Sequence, residues 1–135
     1  MNQITGMLFD VNEETFEQVT INDDLESYYD ILNCRLIDIA HRYFGSQEYP
    51  LTIVCDDEGL FTESPKVSAR DRDLNPQFVG NLFICQENEW GELISLTNKE
   101  CEYLKGLIGT CYNIDKDTRE VFVSDVNYRP YSKEE

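Results

Sequence analysis

The amino-terminal quarter of this chain lacks basic residues. No Lys or Arg precedes Arg35, although the first 33 residues hold eight of the 27 carboxylates in a chain whose net charge is −16. A surface built from this segment would repel a phosphate backbone, so direct binding of nucleic acid is not expected. Three purposes remain for the acidity: contact with a basic surface of another protein, binding of dissolved cations, or solubility.

Several other features are missing. The five cysteines are an odd number and no two form a C-x-x-C pair, so neither a disulfide framework nor a zinc ribbon is indicated. No apolar run approaches the ~20 residues of a membrane span, and Met1 begins a strand-like pattern rather than a signal peptide. We therefore expect a soluble, cytoplasmic protein with reduced cysteines, no membrane association and no cofactor.

Known catalytic motifs are also absent. The sequence contains no G-x-S-x-G, G-x-G-x-x-G, P-loop or H-E-x-x-H pattern. His41 is the only histidine, and its apolar neighbours in a predicted strand favour a packed, hydrogen-bonded imidazole over a base that activates a nucleophile. The sequence therefore assigns no catalytic residue and favours a non-enzymatic role.

The composition is that of a folded domain. Apolar residues make up 41% of the 135 residues and aromatic residues 12%, so the acidity does not indicate disorder. Helix signals occur at about 24–33 and at about 98–108, the second with a capping box at its start and Gly109 as its stop. Strand-like runs outnumber the helices, which predicts a single α+β domain over 1–126 with a largely antiparallel sheet and a polar tail over 127–135.

The strand-like runs suggest two hairpins and a central sheet. Residues 3–9 and 16–21 predict an N-terminal hairpin, and 111–126 predict a closing hairpin. Residues 62–77 have little periodicity and two prolines, so we expect an irregular segment there and a place for function. The remaining predicted strands are 36–44, which also fits a helical stripe, 51–55, 79–85 and 93–96.

Two groups of acidic residues are candidate sites. The N-terminal acidic set could contact a basic protein surface and consists of Asp10, Glu13, Glu14, Glu17, Asp23, Asp24, Glu26 and Asp30. Asp56, Asp57 and Glu58 are the densest acidic cluster inside the folded region and could hold a Mg²⁺ or Ca²⁺ ion. A solvated turn closed by Gly59 is the favoured interpretation of this cluster, because no ligands from other segments are identifiable.

The few basic residues gather in the segment over 62–77, as Lys66, Arg70 and Arg72. They could pair internally with Asp71 and Asp73, or they could receive an anionic ligand. Internal pairing is the favoured interpretation.

The order of turn and cap signals resembles a known family. The signals are a helix over 25–32, Ile37-Asp38-Ile39, a strand and acidic turn over 53–59, Ser68-Ala69, Val79-Gly80-Asn81-Leu82 and Ser95-Leu96-Thr97. They are similar to domain of unknown function 3846, a family found on phages, plasmids and conjugative elements and in the bacteria that carry them. The resemblance covers about residues 23–108. It implies a small accessory protein of a mobile element or phage, and it implies no catalytic or binding residue.

Three hypotheses for function remain. The favoured one is a non-enzymatic protein-binding module whose acidic face docks on a basic patch of another protein. The second is DNA mimicry, in which the carboxylates occupy the nucleic-acid site of a host protein. The third is a small metal-assisted enzyme that uses Asp56, Asp57 and Glu58.

Overall fold

Two β-sheets and two short helices make up the part of the chain that the structure, a computed structural model, describes: residues 2–58, 65–112 and 119–130. In chain order the elements are β1 (Gln3–Asp10), β2 (Thr15–Asn22), α1 (Leu25–Leu32), β3 (Ile37–Phe44), β4 (Leu51–Asp56), β5 (Val67–Arg70), β6 (Pro76–Val79), β7 (Leu82–Glu87), β8 (Leu93–Ile94), α2 (Asn98–Lys105), β9 (Ile108–Tyr112), β10 (Arg119–Val123) and β11 (Val126–Asn127). Neither helix in these ranges is long and apolar enough to cross a membrane.

The strands form a larger and a smaller sheet. The larger has seven strands, in the order β11-β3-β4-β7-β1-β2 with β8 beside β7, and the smaller has four, in the order β6-β5-β10-β9. Every strand pair in the described ranges is antiparallel except β5 with β10. The two predicted helices and the largely antiparallel pairing are confirmed, whereas the expectation of one sheet is wrong. The fold is richer in strands than the sequence predicted, because a second sheet forms.

The central strands of the larger sheet are covered on both faces. In β4, the neighbours Ile53 and Val54 are both fully buried, and they belong to different apolar clusters. Successive side chains of a strand point to opposite faces, so an unbroken apolar run is typical of a strand buried on both sides. One cluster lies under α1, and the other lies under α2 and the smaller sheet.

Short-range signals set the start and the end of α1. The Asp24 carboxylate accepts a hydrogen bond from the backbone N–H of Ser27 at 2.8 Å, and Asn33 ends the helix with a φ of 53°. Tyr28 and Leu32 are buried against the larger sheet, where the rings of Tyr28 and Phe83 lie 6.0 Å apart. The sequence predicts an apolar stripe of Leu25, Tyr28, Tyr29 and Leu32 on this helix. It identified the buried face at Tyr28 and Leu32, whereas Tyr29 is half-buried and Leu25 is 56% exposed.

The start of α2 matches its prediction, but its end does not. Thr97 and Glu100 form the predicted capping box, in which each side chain accepts a hydrogen bond from the backbone N–H of the other residue. The last helical residue is Lys105 rather than residue 108, and Gly109 lies in β9 opposite Phe122. A Cβ atom at Gly109 would come within 2.9 Å of the Phe122 ring, so this glycine permits close packing of two strands instead of ending the helix.

The segment over 62–77, expected to be irregular, contributes two strands of the smaller sheet. Its residues 62–64 lie outside the described ranges, and β5 with the first two residues of β6 occupies six of the remaining 13 residues. Asp71 organises the turn between these strands, because its carboxylate accepts hydrogen bonds at 2.9 Å from the backbone N–H groups of Asp73 and Asn75. The expectation of an irregular segment is confirmed for residues 65, 66 and 71–75 and wrong for β5 and the start of β6. The sequence did not reveal β5 because one of its two neighbours, β10, lies some fifty residues further along the chain.

The predicted strand over 79–85 is divided between the two sheets. Gly80 has a φ of 83°, a conformation that favours glycine, and it turns the chain between β6 and β7. β6 belongs to the smaller sheet and β7 to the middle of the larger one. The predicted strand is confirmed as β7 from Leu82 onwards, whereas only Val79 of the run belongs to β6, and the run did not reveal the break.

The closing hairpin predicted over 111–126 is confirmed in part. β9 and β10 pair in antiparallel fashion from Ile108 onwards, and residues 113–118 lie outside the described ranges. β11 does not extend this hairpin; it pairs with β3 of the larger sheet. Asn127, the first residue of the predicted polar tail, therefore belongs to a strand.

Candidate functional site

The N-terminal acidic set lies on three consecutive elements: β1, β2 and α1 with the turns that join them. Seven of its eight residues are exposed, and Asp10 is half-buried. Hairpin residues supply one half of the set, namely Asp10, Glu13, Glu14 and Glu17. The start and the body of α1 supply the other half, namely Asp23, Asp24, Glu26 and Asp30.

α1 is fixed alongside the hairpin at both ends. At its start, the backbone N–H of Asp23 donates a hydrogen bond to the carbonyl of Asn2 at 2.9 Å. At its end, the Asn81 amide donates to the carbonyl of Ile31 at 3.3 Å and accepts from the backbone N–H of Val11 at 3.0 Å. The hairpin and α1 therefore form one frame, which carries Glu13 and Glu14 at the turn of the hairpin and Asp23 and Asp24 at the opposite end of its strands.

Asn81 is a site residue that the sequence reasoning did not single out. Asn81 is only 8% exposed, and its side chain satisfies one backbone group of the hairpin and one of the helix. Gly80 provides the positive φ that turns the chain into Asn81. The signal was present as the Gly-Asn pair at the start of a strand, since an asparagine amide can accept and donate at once.

No ion pair within the described ranges involves the acidic set. Arg35 pairs with Glu58 at 3.2 Å, and Lys105 pairs with Glu102 at 3.0 Å. The other pairs are His41 with Glu87, Arg70 with Glu120 and Arg72 with Asp125. The internal pairing expected of Arg70 and Arg72 is present, although with these two partners rather than with Asp71 or Asp73.

Three members of the acidic set have local structural roles. The Asp10 carboxylate accepts hydrogen bonds from the N–H groups of Asn12 and Glu13 at 2.9 and 3.1 Å. The bond from Ser27 lowers the pKa of Asp24. Asp23 accepts from the Tyr28 hydroxyl at 3.0 Å; burial first, and this bond second, raise the pKa of Tyr28.

The other five carboxylates face solvent from the hairpin and α1, without a hydrogen bond or ion pair to the described part of the chain: Glu13, Glu14, Glu17, Glu26 and Asp30. Exposed carboxylates of one sign, held on a rigid frame, produce a negative potential that water and salt screen only in part. These five are therefore available to an external cation or cationic surface.

Asp56 is the last residue of β4, and Asp57 and Glu58 follow it; the carboxylates of Asp56 and Glu58 have different partners. The Asp56 carboxylate accepts a hydrogen bond from the backbone N–H of Glu58 at 2.8 Å, and the Glu58 carboxylate pairs with Arg35. Within the described ranges no group of three or more His, Cys, Asp or Glu side chains is arranged to hold a metal ion. Gly59, the expected end of this turn, lies outside those ranges.

A shallow pocket of about 170 Å³ lies beside this turn, between the larger sheet and β6. The sequence did not predict it, because its walls come from three separate segments. Its lining residues are Asp38, Cys55, Asp56, Asp57, Gln77, Phe78 and Val79. The Cys55 thiol donates to the carbonyl of Asp38 at 3.6 Å, and burial raises the pKa of this thiol to about 12, which favours the protonated thiol over the nucleophilic thiolate.

The remaining reactive side chains show no catalytic arrangement in the described part. Cys85 and Cys101 are buried, Cys34 is half-buried, and burial raises the pKa of all three thiols. His41 is hydrogen-bonded as expected, to Glu87 at 2.9 Å, but half of its side chain is exposed, so the expectation of a packed imidazole is wrong.

Comparison with known proteins gives a family and no function. The family model described as Domain of unknown function (DUF3846) matches residues 4–109, which includes the N-terminal hairpin and ends before most of the closing hairpin. Searches of curated proteins and of solved structures found no match. Since the matched region covers most of the chain, this protein belongs to the DUF3846 family.

Proposed function

We propose that this protein is a non-enzymatic binding module whose N-terminal acidic set docks on a basic surface of another protein. The observation that carries the proposal is the exposure of seven of the eight carboxylates on one hairpin and one helix, with no ion pair to the described part of the chain. Complementary charge accelerates association and excludes partners of the same sign.

The surroundings of the acidic set suit a protein partner. Leu25 lies within the set at the start of α1 and is 56% exposed, which provides apolar contact area next to the charges. Protein interfaces combine such apolar contacts with a polar rim, whereas simple solubility needs only the charges. The frame is already folded without a partner, because Asn81 bonds to both the hairpin and the helix, so little order has to be gained on binding.

The resemblance adds an expected setting to this proposal. We propose a cytoplasmic accessory protein of a phage or mobile element, in which the partner is a basic protein of the host or of the element. The free cysteines of the described part are compatible with a reducing compartment. DNA mimicry is a special case of the same proposal, in which the basic partner surface is a nucleic-acid site.

Two variants with equal net charge test the proposal. The first neutralises the five solvent-facing members of the acidic set, as Glu13→Gln, Glu14→Gln, Glu17→Gln, Glu26→Gln and Asp30→Asn. The control neutralises five exposed carboxylates elsewhere, as Glu48→Gln, Asp73→Asn, Glu89→Gln, Glu92→Gln and Glu102→Gln. Each variant and the wild type are immobilised, exposed to a lysate of the source cells and eluted with a salt gradient.

The expected result is that the wild type and the control variant retain the same basic protein, and that the first variant does not. Elution at rising salt is expected, because exposed charge pairs are screened over about 10 Å at 0.1 M salt. Equal retention by both variants, or no retention by the wild type, would overturn the proposal. Displacement of the retained protein by duplex DNA would identify mimicry.

A further inference from the structure

β2 is an edge strand of the larger sheet, and one side of its backbone is unpaired within the described ranges. In β1, the N–H of Thr5 donates a hydrogen bond to the hydroxyl of Ser95, and the carbonyl of Thr5 accepts one from the N–H of Leu96. Both groups of Thr5 therefore point away from β2. Thr5 lies opposite Thr20, so these two residues form a pair without mutual backbone hydrogen bonds. The N–H and carbonyl of Thr20 therefore point away from β1. In an antiparallel pair, residues that bond to the neighbouring strand alternate with residues that do not, so the N–H and carbonyl groups of Phe16 and Gln18 also point outward from the sheet.

β2 differs from three of the other four edge strands of the two sheets, and it is longer than the fourth, β9, which has five residues. Its eight residues pair with β1 without a register shift, contain no proline or lysine, and include exposed residues at Glu17, Gln18 and Thr20. By contrast, β6 contains Pro76 and lies beside a register shift, and β8 and β11 have only two residues each. Proline, irregular register and short length are the usual means of preventing further strand pairing. β2 has none of them.

We propose that β2 accepts an extended segment of the basic partner as an added strand. This inference rests on the function proposed above and specifies how the partner binds. Backbone hydrogen bonds to Phe16, Gln18 and Thr20 would supply affinity, and alternate side chains would supply specificity. Glu17, Val19 and Ile21 share the face that α1 covers, so basic side chains on that face of the added strand lie on the same side of the sheet as Glu17 and α1.

Charge selects the occupant of this edge. A second copy of the chain, paired antiparallel about Gln18, would bring Glu13 of one copy towards Asp23 of the other at each end of the contact. Its α1 would also lie on the same face, which brings two acidic helices together. Like charges across a strand pair are destabilising, whereas Lys and Arg at these places are complementary. The edge therefore suits a basic segment and not a second copy.

Amide hydrogen exchange tests strand addition directly. The probe is a synthetic nine-residue peptide in which Lys or Arg alternates with Thr or Val, and its control has Glu at the basic positions. With the basic peptide, the amides of Phe16, Gln18 and Thr20 are expected to become protected. The amides of Glu17 and Val19, which already bond to β1, are expected to change little. Unchanged exchange at the three outward amides would overturn the proposal, and so would a dimer of the free protein in sedimentation equilibrium.

A matched pair of variants tests the same edge. Gln18→Pro removes an outward N–H without removing a hydrogen bond to β1, and proline is tolerated at such positions of edge strands. Gln18→Thr keeps the N–H and changes only an exposed side chain. Gln18→Pro is expected to weaken binding of the basic peptide at least about tenfold relative to Gln18→Thr. Equal affinity of the two variants, measured by calorimetry, would overturn the proposal.

The partner retained in the lysate experiment separates the two proposals. If Gln18→Pro retains the partner and the variant with a neutralised acidic set does not, charge docking stands and strand addition is overturned. If Gln18→Pro and the variant with a neutralised acidic set both retain the partner as the wild type does, both proposals fail. Loss of the partner in both variants, with retention by Gln18→Thr, supports both.

Discussion

The N-terminal acidic set and the arginines near the smaller sheet use charge in opposite ways. Arg70 donates to Glu120 at 3.0 Å and lies 5.3 Å from the centre of the Phe122 ring, and Arg72 lies 3.4 Å from Asp125. These cations join strands and turns of the same chain. The acidic set has no such partner in the described ranges, and apolar packing under α1 together with Asn81 holds its frame in place.

This contrast shows that the charged residues behind the net charge of −16 have different roles in different regions of the protein. Near the smaller sheet, charge is part of the fold, so its removal should change stability. On the hairpin and α1, most of the charge is separate from the packing, so its removal should change binding and leave stability nearly intact. Stability measurements can therefore distinguish the two regions before any partner is known.

The largest effect is expected when the apolar support of α1 is removed. Phe83 is fully buried in β7 and contacts Tyr28 of the helix. Phe83→Ala should lower the free energy of unfolding by about 3–5 kcal/mol, because it leaves a cavity under the helix. Urea unfolding followed by circular dichroism measures the change. Trp90→Ala is the control, since Trp90 is 75% exposed and its removal should change stability by less than about 0.5 kcal/mol.

A smaller effect is expected at Arg70, where charge contributes to the fold. Its side chain is 17% exposed and donates to Glu120 and to the carbonyl of Leu74 at 2.9 Å. Arg70→Ala should lower the free energy of unfolding by about 2–3 kcal/mol, because it removes packing and charged hydrogen bonds. Arg129→Ala removes an exposed arginine and serves as the control. Equal stability of the two variants in urea would contradict a structural role for the charge of Arg70.

The sequence predicted the elements that depend on near neighbours. The N-terminal hairpin, both helix starts and β3 to β4 follow from alternation, caps and apolar spacing over a few residues. Of the smaller sheet, the sequence predicted only the β9–β10 hairpin. The other two strands were missed because β5 pairs with β10 across about fifty residues, and no short-range pattern in either segment indicates this pairing. Gly109 was misassigned for a related reason: its role depends on the ring of Phe122 in the neighbouring strand.

The candidate site shows the same division. The acidic set was identified by charge alone, because a run without Lys or Arg is visible in one dimension. Its frame was not, since Asn81 joins Val11 to Ile31 across distances of 70 and 50 residues. The free edge of β2 was also invisible, because the sequence predicted a hairpin strand but not its place at the end of the sheet.

Asn81 provides a prediction of intermediate size. Asn81→Ala removes the hydrogen bonds by which Asn81 joins Val11 of the hairpin to Ile31 of α1, and it leaves these two backbone groups partly buried without a partner. The free energy of unfolding should therefore fall by about 1–2 kcal/mol. Asn12→Ala, in the exposed turn of the same hairpin, is the control and should be nearly neutral. The amide of Val11 should exchange faster in Asn81→Ala than in the control. If its exchange is unchanged, Asn81 does not hold the hairpin against the helix.

The smallest effect is expected at Asp24, a member of the acidic set that has a structural role. Its pKa in the folded protein lies below the ordinary value of 3.8, because the carboxylate accepts the N–H of Ser27. A lowered pKa means that the charged cap stabilises the fold above about pH 4 and that this contribution is lost as the pH falls through the folded-state value.

An asparagine cap does not titrate, so the stability of Asp24→Asn should lack this step. The urea midpoint of the wild type should therefore fall relative to that of Asp24→Asn as the pH decreases from 6 to 2. Asp30→Asn, which changes an exposed carboxylate later in the same helix, should follow the wild type over the same range. Parallel curves for the wild type and Asp24→Asn would mean that the Asp24 charge, like that of its five solvent-facing neighbours, is not used by the fold.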